Sequence, residues 1–369
     1  MGKYTVMGLI FANMHDSALS ELTSRRAMGS VPFGGRYRLI DFPLSNMVNA
    51  GISRVGIITK QNYQSLMDHL GSGKAWDLSR KTEGLYMLTA SGADEEYDGR
   101  LKPLIGVESF IAGAKTEYVI LADSHVVGNI DYAAIVQKHV ESGADITVAY
   151  SDGSAPRLRD NLLLTLSRDN WVRDIVVGDG EGQESSFGLG LYVISRTLLL
   201  RLIREAAGRS MVSFERGVLQ RNKDYLKIYG YNVPEWNAPI YSLQSYFAAN
   251  MALLEESVRQ ELFPAGRPIY TKVRDCSPAI YGLKSDVTHS LVADGAHIEG
   301  KVVNSIIFRD VSVGKNAVVE NCIVMQGSVI TPASSLTCAI LDKNVTVKEG
   351  RKLQGVESYP LYIKKGMTV

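Results

Sequence analysis

Cysteine is scarce in this chain of 369 residues, with three in all, Cys276, Cys322 and Cys338. So few thiols cannot form a disulfide framework, and their odd number favours reduced side chains and a cytoplasmic protein. Long apolar runs are absent too. The run at positions 6–12 is too short to span a membrane and lacks the basic flank and cleavage site of a signal peptide. We therefore expect no membrane partner.

An excess of charge of either sign is also missing. Lys and Arg number 40 against 39 Asp and Glu, which gives a net charge of +1. Without an overall field, the chain has no electrostatic means of gathering nucleic acid, and none is expected as a partner. An anionic ligand would have to be bound by a local cluster of cations.

Familiar phosphate and metal motifs are not found. Positions 71–74 read Gly-Ser-Gly-Lys but lack the upstream glycine and the following hydroxyl of a Walker A loop. The histidines show no His-x-x-x-His spacing, and Cys-x-x-Cys is absent, so the sequence predicts no metal site. The six histidines are His15, His69, His125, His139, His289 and His297.

Positions 1–250 alternate short apolar runs with amphipathic stretches, as in an α/β domain whose mixed, mostly parallel sheet is covered by helices. The predicted strands are 6–11, 55–59, 118–122, 146–150 and 191–194. Asp131 is placed to cap a helix that ends near Gly143. A further helical stretch is predicted over 243–262.

A proline-containing linker is predicted within 251–287, and a second domain over 288–369. In this last region single aliphatic residues recur every four to six positions between Gly, Asn, Asp and Ser. That recurrence favours a left-handed parallel β-helix, in which each short face buries one aliphatic side chain. A β-sandwich or meander is the alternative, because the period is imperfect and Pro332 interrupts it.

The segment 33–46 reads Phe-Gly-Gly-Arg-Tyr-Arg-Leu-Ile-Asp-Phe-Pro-Leu-Ser-Asn. It resembles the ADP-glucose pyrophosphorylases, the sugar-nucleotide enzymes of glycogen and starch synthesis, whose pattern is Phe-Gly-Gly-(Lys/Arg)-x-Arg-(Leu/Ile)-Ile-Asp-Phe-x-Leu-Ser-Asn. The similarity continues through the strands and helices above and covers essentially the whole chain. It implies a Rossmann-like nucleotidyltransferase domain followed by a left-handed β-helix.

The resemblance fails where the family binds nucleotide. Active members end their first strand in Gly-Gly-x-Gly-Thr-Arg-Leu, a backbone cradle for phosphate. This chain has no glycine there, and we expect no nucleotide to bind the substituted loop of Ala12, Asn13, Met14 and His15. Asp16 would add a negative charge beside phosphate oxygens.

Other positions of the family's site are substituted as well. Met28 stands in place of a phosphate-facing lysine. The base-recognition motif Leu-Pro-Ala-Gln-Gln is lost at 88–92, and Tyr-x-Gly-Thr-Ala-x-Ala becomes Tyr-Asp-Gly-Arg-Leu-Lys-Pro at 97–103. The lysine that holds the sugar phosphate would fall in 175–180, which contains no cation, and Gly188 stands in place of a family serine.

The family's two magnesium-binding aspartates are also affected. Ser124 occupies the position of the first, with Asp123 one residue early, and no carboxylate stands at the second position within 236–242. A shift of one residue matters because successive strand side chains point to opposite faces. We predict no catalytic residue, no metal and no cofactor in this chain, with Mg²⁺ only in a catalytic partner.

Two retained arginines are candidates for a different role. Arg36 occupies a position where family enzymes present a basic residue to sugar-phosphate effectors, and Arg38 lies two residues along. Guanidinium groups suit bidentate contact with phosphate. The structural alternative is that this segment, with a turn at Gly34–Gly35, only packs and caps a helix at Asp41.

Such a pattern resembles the bacterial non-catalytic regulatory subunit of this family. It implies a role in glycogen biosynthesis within a hetero-oligomer, a tetramer with a catalytic subunit, controlled by a sugar-phosphate effector. The alternatives are an active pyrophosphorylase with an altered metal site that uses Asp123, and a scaffold like the pyrophosphorylase-like subunits of the translation guanine-exchange factor. An acyltransferase using His289 or His297 is disfavoured, since the β-helix is short.

Overall fold

The computed structural model describes residues 4–60, 62–80, 82–89, 99–158, 160–178, 180 and 182–369. Positions 90–98 and 179, which belong to the substituted base-recognition and sugar-phosphate segments, lie outside the described residues.

The N-terminal region contains thirteen described strands. In chain order they are β1 (Val6–Phe11), β2 (Pro32–Phe33), β3 (Tyr37–Arg38), β4 (Arg54–Thr59), β5 (Gly84–Thr89), β6 (Tyr118–Asp123), β7 (Val126–Gly128), β8 (Ile146–Ser154), β9 (Leu162–Leu166), β10 (Val172–Val177), β11 (Glu184–Ser195), β12 (Ile228–Asn232) and β13 (Asn237–Pro239).

The described α-helices all lie in the same region. They are α1 (Ser20–Thr23), α2 (Asp41–Asn49), α3 (Gln64–Leu70), α4 (Leu101–Gly106), α5 (Glu108–Ala112), α6 (Tyr132–Ser142), α7 (Arg196–Gly208), α8 (Leu243–Ala252) and α9 (Glu256–Leu262). Short 3₁₀ turns occur at Asp16–Leu19, Met28–Ser30 and Lys74–Trp76, and a turn of π-helix spans Glu215–Gln220.

One nine-stranded sheet forms the centre of the N-terminal domain. Its path is β10-β9-β11-β6-β1-β4-β5, and β8 joins β11 to β12. Strands β6, β1, β4 and β5 run parallel, whereas β11 is antiparallel to β6, β8 and β9. The prediction of a mixed sheet in a Rossmann-like domain is confirmed, and the carboxyl ends of β1, β4 and β6 meet at one edge.

Helix boundaries follow local capping chemistry. The Asp131 side chain accepts a hydrogen bond from the Ala134 amide at 3.0 Å, and Gly143, with φ of 64°, ends α6, as predicted. The stretch predicted as one helix over 243–262 is two helices. It breaks because Glu255 takes an extended conformation (φ −79°, ψ 130°) before α9.

The C-terminal region is a left-handed parallel β-helix, as predicted. Three parallel sheets of five strands form its sides. The strands are β14 (Ile280–Tyr281), β15 (Asp286–Thr288), β16 (Leu291–Val292), β17 (His297–Ile298), β18 (Lys301–Val303), β19 (Ile306–Ile307), β20 (Ser312–Val313), β21 (Val318–Glu320), β22 (Ile323–Val324), β23 (Val329–Ile330), β24 (Ser335–Thr337), β25 (Ala339–Leu341), β26 (Thr346–Val347), β27 (Lys352–Gln354) and β28 (Leu361–Ile363).

The imperfect period has a structural cause in the length of the coils. Lys301 pairs with Val318 and Val318 with Ser335, so each of these coils takes 17 residues, whereas Asp286 pairs with Lys301 across 15. Asparagines occupy left-handed corners, as at Asn321 with φ of 51° and Asn344 with φ of 59°. The first strand begins at Ile280, inside the segment predicted as linker.

The two regions share one apolar core. Phe33, Phe42 and Tyr246 of the N-terminal domain pack in the same cluster as the β-helix interior. A buried ion pair crosses the same boundary, since Arg26 Nη2 donates to both carboxylate oxygens of Asp342, at 2.8 and 2.7 Å. The β-helix is therefore anchored on the nucleotidyltransferase-like domain. Among the described residues, no helix combines the length and the apolarity needed to cross a bilayer.

Candidate functional site

The edge where β1, β4 and β6 end is where open α/β sheets bind ligands. Asp123 is the last residue of β6 and lies opposite Phe11, the last residue of β1. Arg100, before α4, and His15, after β1, contact Asp123, and Glu215, at the start of the π-helical turn, contacts Arg100.

Arg100 holds Asp123 on both carboxylate oxygens. Its Nη1 donates to Oδ1 and its Nη2 donates to Oδ2 at 2.6 Å, while its Nε donates to Glu215 Oε1 at 2.6 Å. The Tyr192 hydroxyl donates to the same Glu215 oxygen at 3.1 Å. All four residues are at most 4 % exposed. We call Arg100, Asp123 and Glu215 the buried ion triad.

Asp123 and Arg100 keep their charges despite burial. Burial alone would raise the pKa of Asp123, but the Arg100 guanidinium and the His15 contact outweigh it and hold that pKa well below the ordinary range. Burial likewise opposes the charge on Arg100, and the two carboxylates more than compensate, so its pKa is raised. Asp123 is thus an ionised carboxylate whose oxygens are both occupied.

Gly190 leaves room for the triad. It has φ of 66°, and a Cβ there would collide with the carboxylate of Asp123. A residue with a side chain would be strained by the backbone conformation and would also displace the Arg100 pair.

Two histidines also face Asp123. His15 Nε2 lies 3.0 Å from Asp123 Oδ2, and His125 Nδ1 lies 3.6 Å from the same atom, with the two ring centroids 4.2 Å apart. His125 is 3 % exposed, and its Nδ1 has no hydrogen-bond partner within the described part of the chain. Burial and the nearby His15 lower the pKa of His125 well below its ordinary value, so its ring is neutral.

The substituted loop after β1 is folded onto itself. Asn13 Oδ1 accepts hydrogen bonds from Thr59 Oγ1 at 2.8 Å and from the Lys60 amide at 3.2 Å. Its Nδ2 donates to Asp16 at 2.7 Å, and Asp16 accepts the Met28 amide at 2.8 Å. Burial raises the pKa of Asp16 to about 6. The Asp16 side chain thereby occupies one side-chain amide of this loop and the backbone amide of Met28.

The substituted residues predicted from sequence point into the protein. Met28 is buried in the core shared with the β-helix, and Met14 packs against the core beneath the sheet. Ser124 is 2 % exposed, and its Oγ donates to the Ala12 carbonyl at 3.4 Å. Gly188 lies in β11 opposite Tyr150, at a bulge.

These residues do not fit the magnesium ion that the family implies. Mg²⁺ requires oxygen ligands in near-octahedral geometry. The nearest donors beside Asp123 are the imidazole nitrogens of His15 and His125 and not oxygens. The segment Asn237–Pro239 carries an asparagine whose side chain bonds to Ser151 and to the Glu235 carbonyl. No step through a bound Mg²⁺ follows from this geometry.

A second cluster lies in an open cleft between the hairpin β2–β3 and the β-helix. The hairpin turns at Gly34 and Gly35, which have φ of 57° and 84°. Among the described residues that line the cleft, none is Asp or Glu. We call it the basic cleft, and its cations are Arg36, Arg38, Lys272, Arg274, Arg309 and Lys343.

The two predicted arginines meet in this cleft but differ in their surroundings. Arg36 is exposed, whereas Arg38 is 8 % exposed and donates from Nη1 to Ser65, to the carbonyl at 2.5 Å and to Oγ at 2.9 Å. Asp41, proposed from sequence as a capping residue, accepts the Arg38 amide at 3.0 Å and contacts His69 Nε2 at 2.6 Å.

The cations of the basic cleft disfavour one another. Burial, then Arg38 and Arg26, lower the pKa of Lys343 to about 7. Burial, then Arg36, lowers the pKa of Arg309. The Arg309 Nε is buried without a hydrogen-bond partner in the described structure, and the Asp294 carboxylate lies 4.0 Å away. Such a cluster is stabilised by an anion.

Sequence reasoning missed several of these residues. Arg100 replaces the threonine of the family's Tyr-x-Gly-Thr motif, and this gain of a cation was a visible signal. Lys272, Arg274, Arg309 and Lys343 carry no local motif, because they come together only when the β-helix packs on the first domain. Glu215 lies 115 positions from its partner Arg100, within the first domain.

Comparison with known proteins agrees with both domains. The nucleotidyl transferase family model matches residues 8–157, and the GlmU-like C-terminal hexapeptide model matches residues 280–358. Fold and site together define a nucleotidyltransferase-type domain joined to a hexapeptide β-helix.

Individual curated proteins that resemble the chain in sequence define its family more closely than the two domain models do. The glycogen biosynthesis protein GlgD of Bacillus subtilis (strain 168) is 35% identical over 364 residues, covering 98% of this chain and 96% of the relative. The protein of the same name from Geobacillus stearothermophilus is 35% identical, covering 85% and 82%. Glucose-1-phosphate adenylyltransferase of Mycoplasma mobile (strain ATCC 43663 / 163K / NCTC 11711) is 29% identical, covering 87% and 86%. The chain belongs to the ADP-glucose pyrophosphorylase family, as predicted, and is of the GlgD type.

Proposed function

We propose that this chain is a regulatory and assembly subunit of glucose-1-phosphate adenylyltransferase in glycogen biosynthesis, itself catalytically inactive. The names of its relatives support the pathway. The observation that carries the inactive role is the clamp of Arg100 on both oxygens of Asp123. A fixed guanidinium beside this carboxylate would oppose the oxygen-only coordination of a catalytic Mg²⁺, and the carboxylate of Asp16, bonded to the Asn13 side chain and the Met28 amide, would repel a triphosphate.

Adenylyl transfer joins two anionic substrates, so it depends on cations and amide donors arranged for phosphate. In this chain those groups bond to one another at the edge of the sheet. Mg²⁺ and nucleotide would then be bound by a catalytic partner, in a hetero-oligomer that we expect to be a tetramer. Its three cysteines are free, consistent with the cytoplasm that we propose as its compartment.

The basic cleft is the proposed effector site. It joins the hairpin β2–β3, the segment after α9 and the turns of the β-helix, so an anion bound there would contact both domains. A sugar phosphate suits it because Arg36 and Arg38 can bind phosphate oxygens while Tyr37 and Phe308 line the same cleft. Binding could therefore favour one arrangement of the two domains over another.

Catalysis is tested with the purified chain, ATP, glucose 1-phosphate and Mg²⁺, by measuring pyrophosphate release. We expect none above background. Turnover that Asp123→Asn abolishes would instead establish the alternative, an active enzyme with an altered metal site.

Assembly and regulation need the catalytic subunit of the same organism. Mixing the two chains should give a particle of tetramer mass by light scattering, with altered activation by a panel of sugar phosphates. Arg36→Ala should weaken the response, whereas Arg204→Ala, an exposed arginine paired with Glu108, should not. An unchanged response in Arg36→Ala would refute the effector site, and the absence of a mixed particle would refute the assembly role.

A further inference from the structure

The buried ion triad holds one guanidinium beside two carboxyl groups. Arg100, Asp123 and Glu215 are all at most 4 % exposed. Arg100 bonds to both carboxyl groups, so a further positive group next to Asp123 would be stabilising in this low-dielectric environment.

The two imidazoles converge on one oxygen of Asp123. Asp123 Oδ2 lies 3.0 Å from His15 Nε2 and 3.6 Å from His125 Nδ1, and the three atoms lie within 4.8 Å of one another. Metal–ligand distances of 2.0–2.2 Å in a tetrahedral site give ligand separations of about 3.3 Å. The separations of 3.0 and 3.6 Å from Asp123 Oδ2 lie on either side of that value.

His125 Nδ1 supplies an independent observation. The side chain is 3 % exposed, and this nitrogen has no hydrogen-bond partner among the described residues. A buried polar atom without a partner is unusual in a folded protein and calls for a ligand. It faces the same carboxylate oxygen as His15, so one ion could satisfy both.

We infer that His15, Asp123 and His125 form a binding site for a transition-metal divalent cation of the zinc class. Two imidazole nitrogens and one carboxylate oxygen are a donor set that suits Zn²⁺ and Co²⁺ far better than Mg²⁺. Three protein ligands leave one coordination position for water or a small anion, on the side where His15 is 14 % exposed. This inference does not rest on the proposed regulatory function.

Arg100 is compatible with such an ion. Carboxylate ligands of metals commonly accept a hydrogen bond from an outer group that orients them. Arg100 Nη2 approaches Asp123 Oδ2 at 2.6 Å in that role, and Glu215 offsets its charge. A bound ion would tie the loop after β1 to the end of β6 and so hold the substituted loop closed.

The test is titration of the metal-free full chain with Co²⁺, followed by visible absorption, and with Zn²⁺ by equilibrium dialysis. We expect one ion per chain and the strong absorption of a tetrahedral Co²⁺ site. His15→Ala and His125→Ala should each weaken binding by at least about 100-fold, since the loss of even an outer partner costs 10–100-fold. The control His297→Ala removes an exposed histidine of the β-helix and should bind as the parent chain does.

Thermal melting gives a second measurement, which covers the case that His125→Ala does not fold. Zn²⁺ should raise the melting temperature of the parent chain and of His297→Ala but not of His15→Ala, whose side chain is partly exposed. Failure to bind Co²⁺ or Zn²⁺ stoichiometrically, binding unaffected by both substitutions, or displacement of Co²⁺ by Mg²⁺ would each overturn the inference.

Discussion

The buried ion triad and the basic cleft differ in how their charges are paired. At the edge of the sheet, Arg100 is bonded to two carboxylates at close range, and the loop donors are bonded to Asp16. In the basic cleft, six cations line one space and no described lining residue is a carboxylate. The comparison teaches that the charges at the edge of the sheet are paired within the protein, while the cations between the domains have no carboxylate beside them among the described residues that line the cleft.

Substitution of Arg100 is the strongest way to test this contrast. Arg100→Ala leaves Asp123 and Glu215 buried without their guanidinium, so we expect a loss of about 3–5 kcal/mol in the free energy of unfolding. Denaturant unfolding measures it. The matched control is Arg204→Ala, whose arginine is 65% exposed in its pair with Glu108 and whose loss should cost at most about 1 kcal/mol. Equal losses of unfolding free energy in the two variants would show that the triad stabilises the fold no more than an exposed ion pair does.

Gly190→Ala tests the same cluster by crowding it, without removing any of its charged groups. The new Cβ would collide with Asp123 and would also sit at φ of 66°. Gly143→Ala is the control, because Gly143 has nearly the same φ, 64°, but nothing within 4 Å of a Cβ. Both variants bear the backbone strain, and the difference in unfolding free energy, about 1–3 kcal/mol, isolates the crowding. Equal values would mean that the carboxylate moves aside freely.

The fold could be predicted because its signals are local. The run at 6–11, the cap at Asp131 and the recurrence of single aliphatic residues each report on a few neighbouring positions, and the sheet and β-helix follow from them. The prediction of one helix over 243–262 was wrong, because the structure has two helices there. No glycine or proline marks the break at Glu255. The coils of 15 and 17 residues explain why the expected repeat looked irregular.

The candidate sites could be predicted only in part. The substituted residues were visible one at a time, but the sequence could not show that Arg100, Asp123 and Glu215 would meet. Asp123 lies 23 positions from Arg100 along the chain, and Glu215 lies 115 positions from it. The histidines were dismissed for lack of helical spacing, yet His15 and His125 come together from two parallel strand ends. Arg36 and Arg38 indicated an anion site whose other four cations come from beyond residue 270.

Removal of a cation should have the opposite effect in the basic cleft. Lys343 is partly buried among like charges, so Lys343→Met should leave the unfolding free energy at pH 6 unchanged or raise it by about 1 kcal/mol. The same variant should bind inorganic sulfate more weakly by calorimetry. A destabilisation as large as that of Arg100→Ala would show that Lys343 is paired as fully as the triad, and the contrast between the two clusters would fail.

The smallest expected effect is a dependence of sulfate binding on pH. The charged groups around Lys343 are Arg26, Arg38, Arg274 and Asp342. Burial and the arginines lower the pKa of Lys343 to about 7, so its ammonium is charged at pH 6 and largely neutral at pH 8. Since sulfate keeps its charge over this range, its affinity should fall as pH rises, by roughly three- to tenfold for one lost charge in the cleft. Lys343→Met should bind sulfate with an affinity that changes little between pH 6 and 8. If the affinity of the parent chain for sulfate also changed little between pH 6 and 8, Lys343 would not contact the anion.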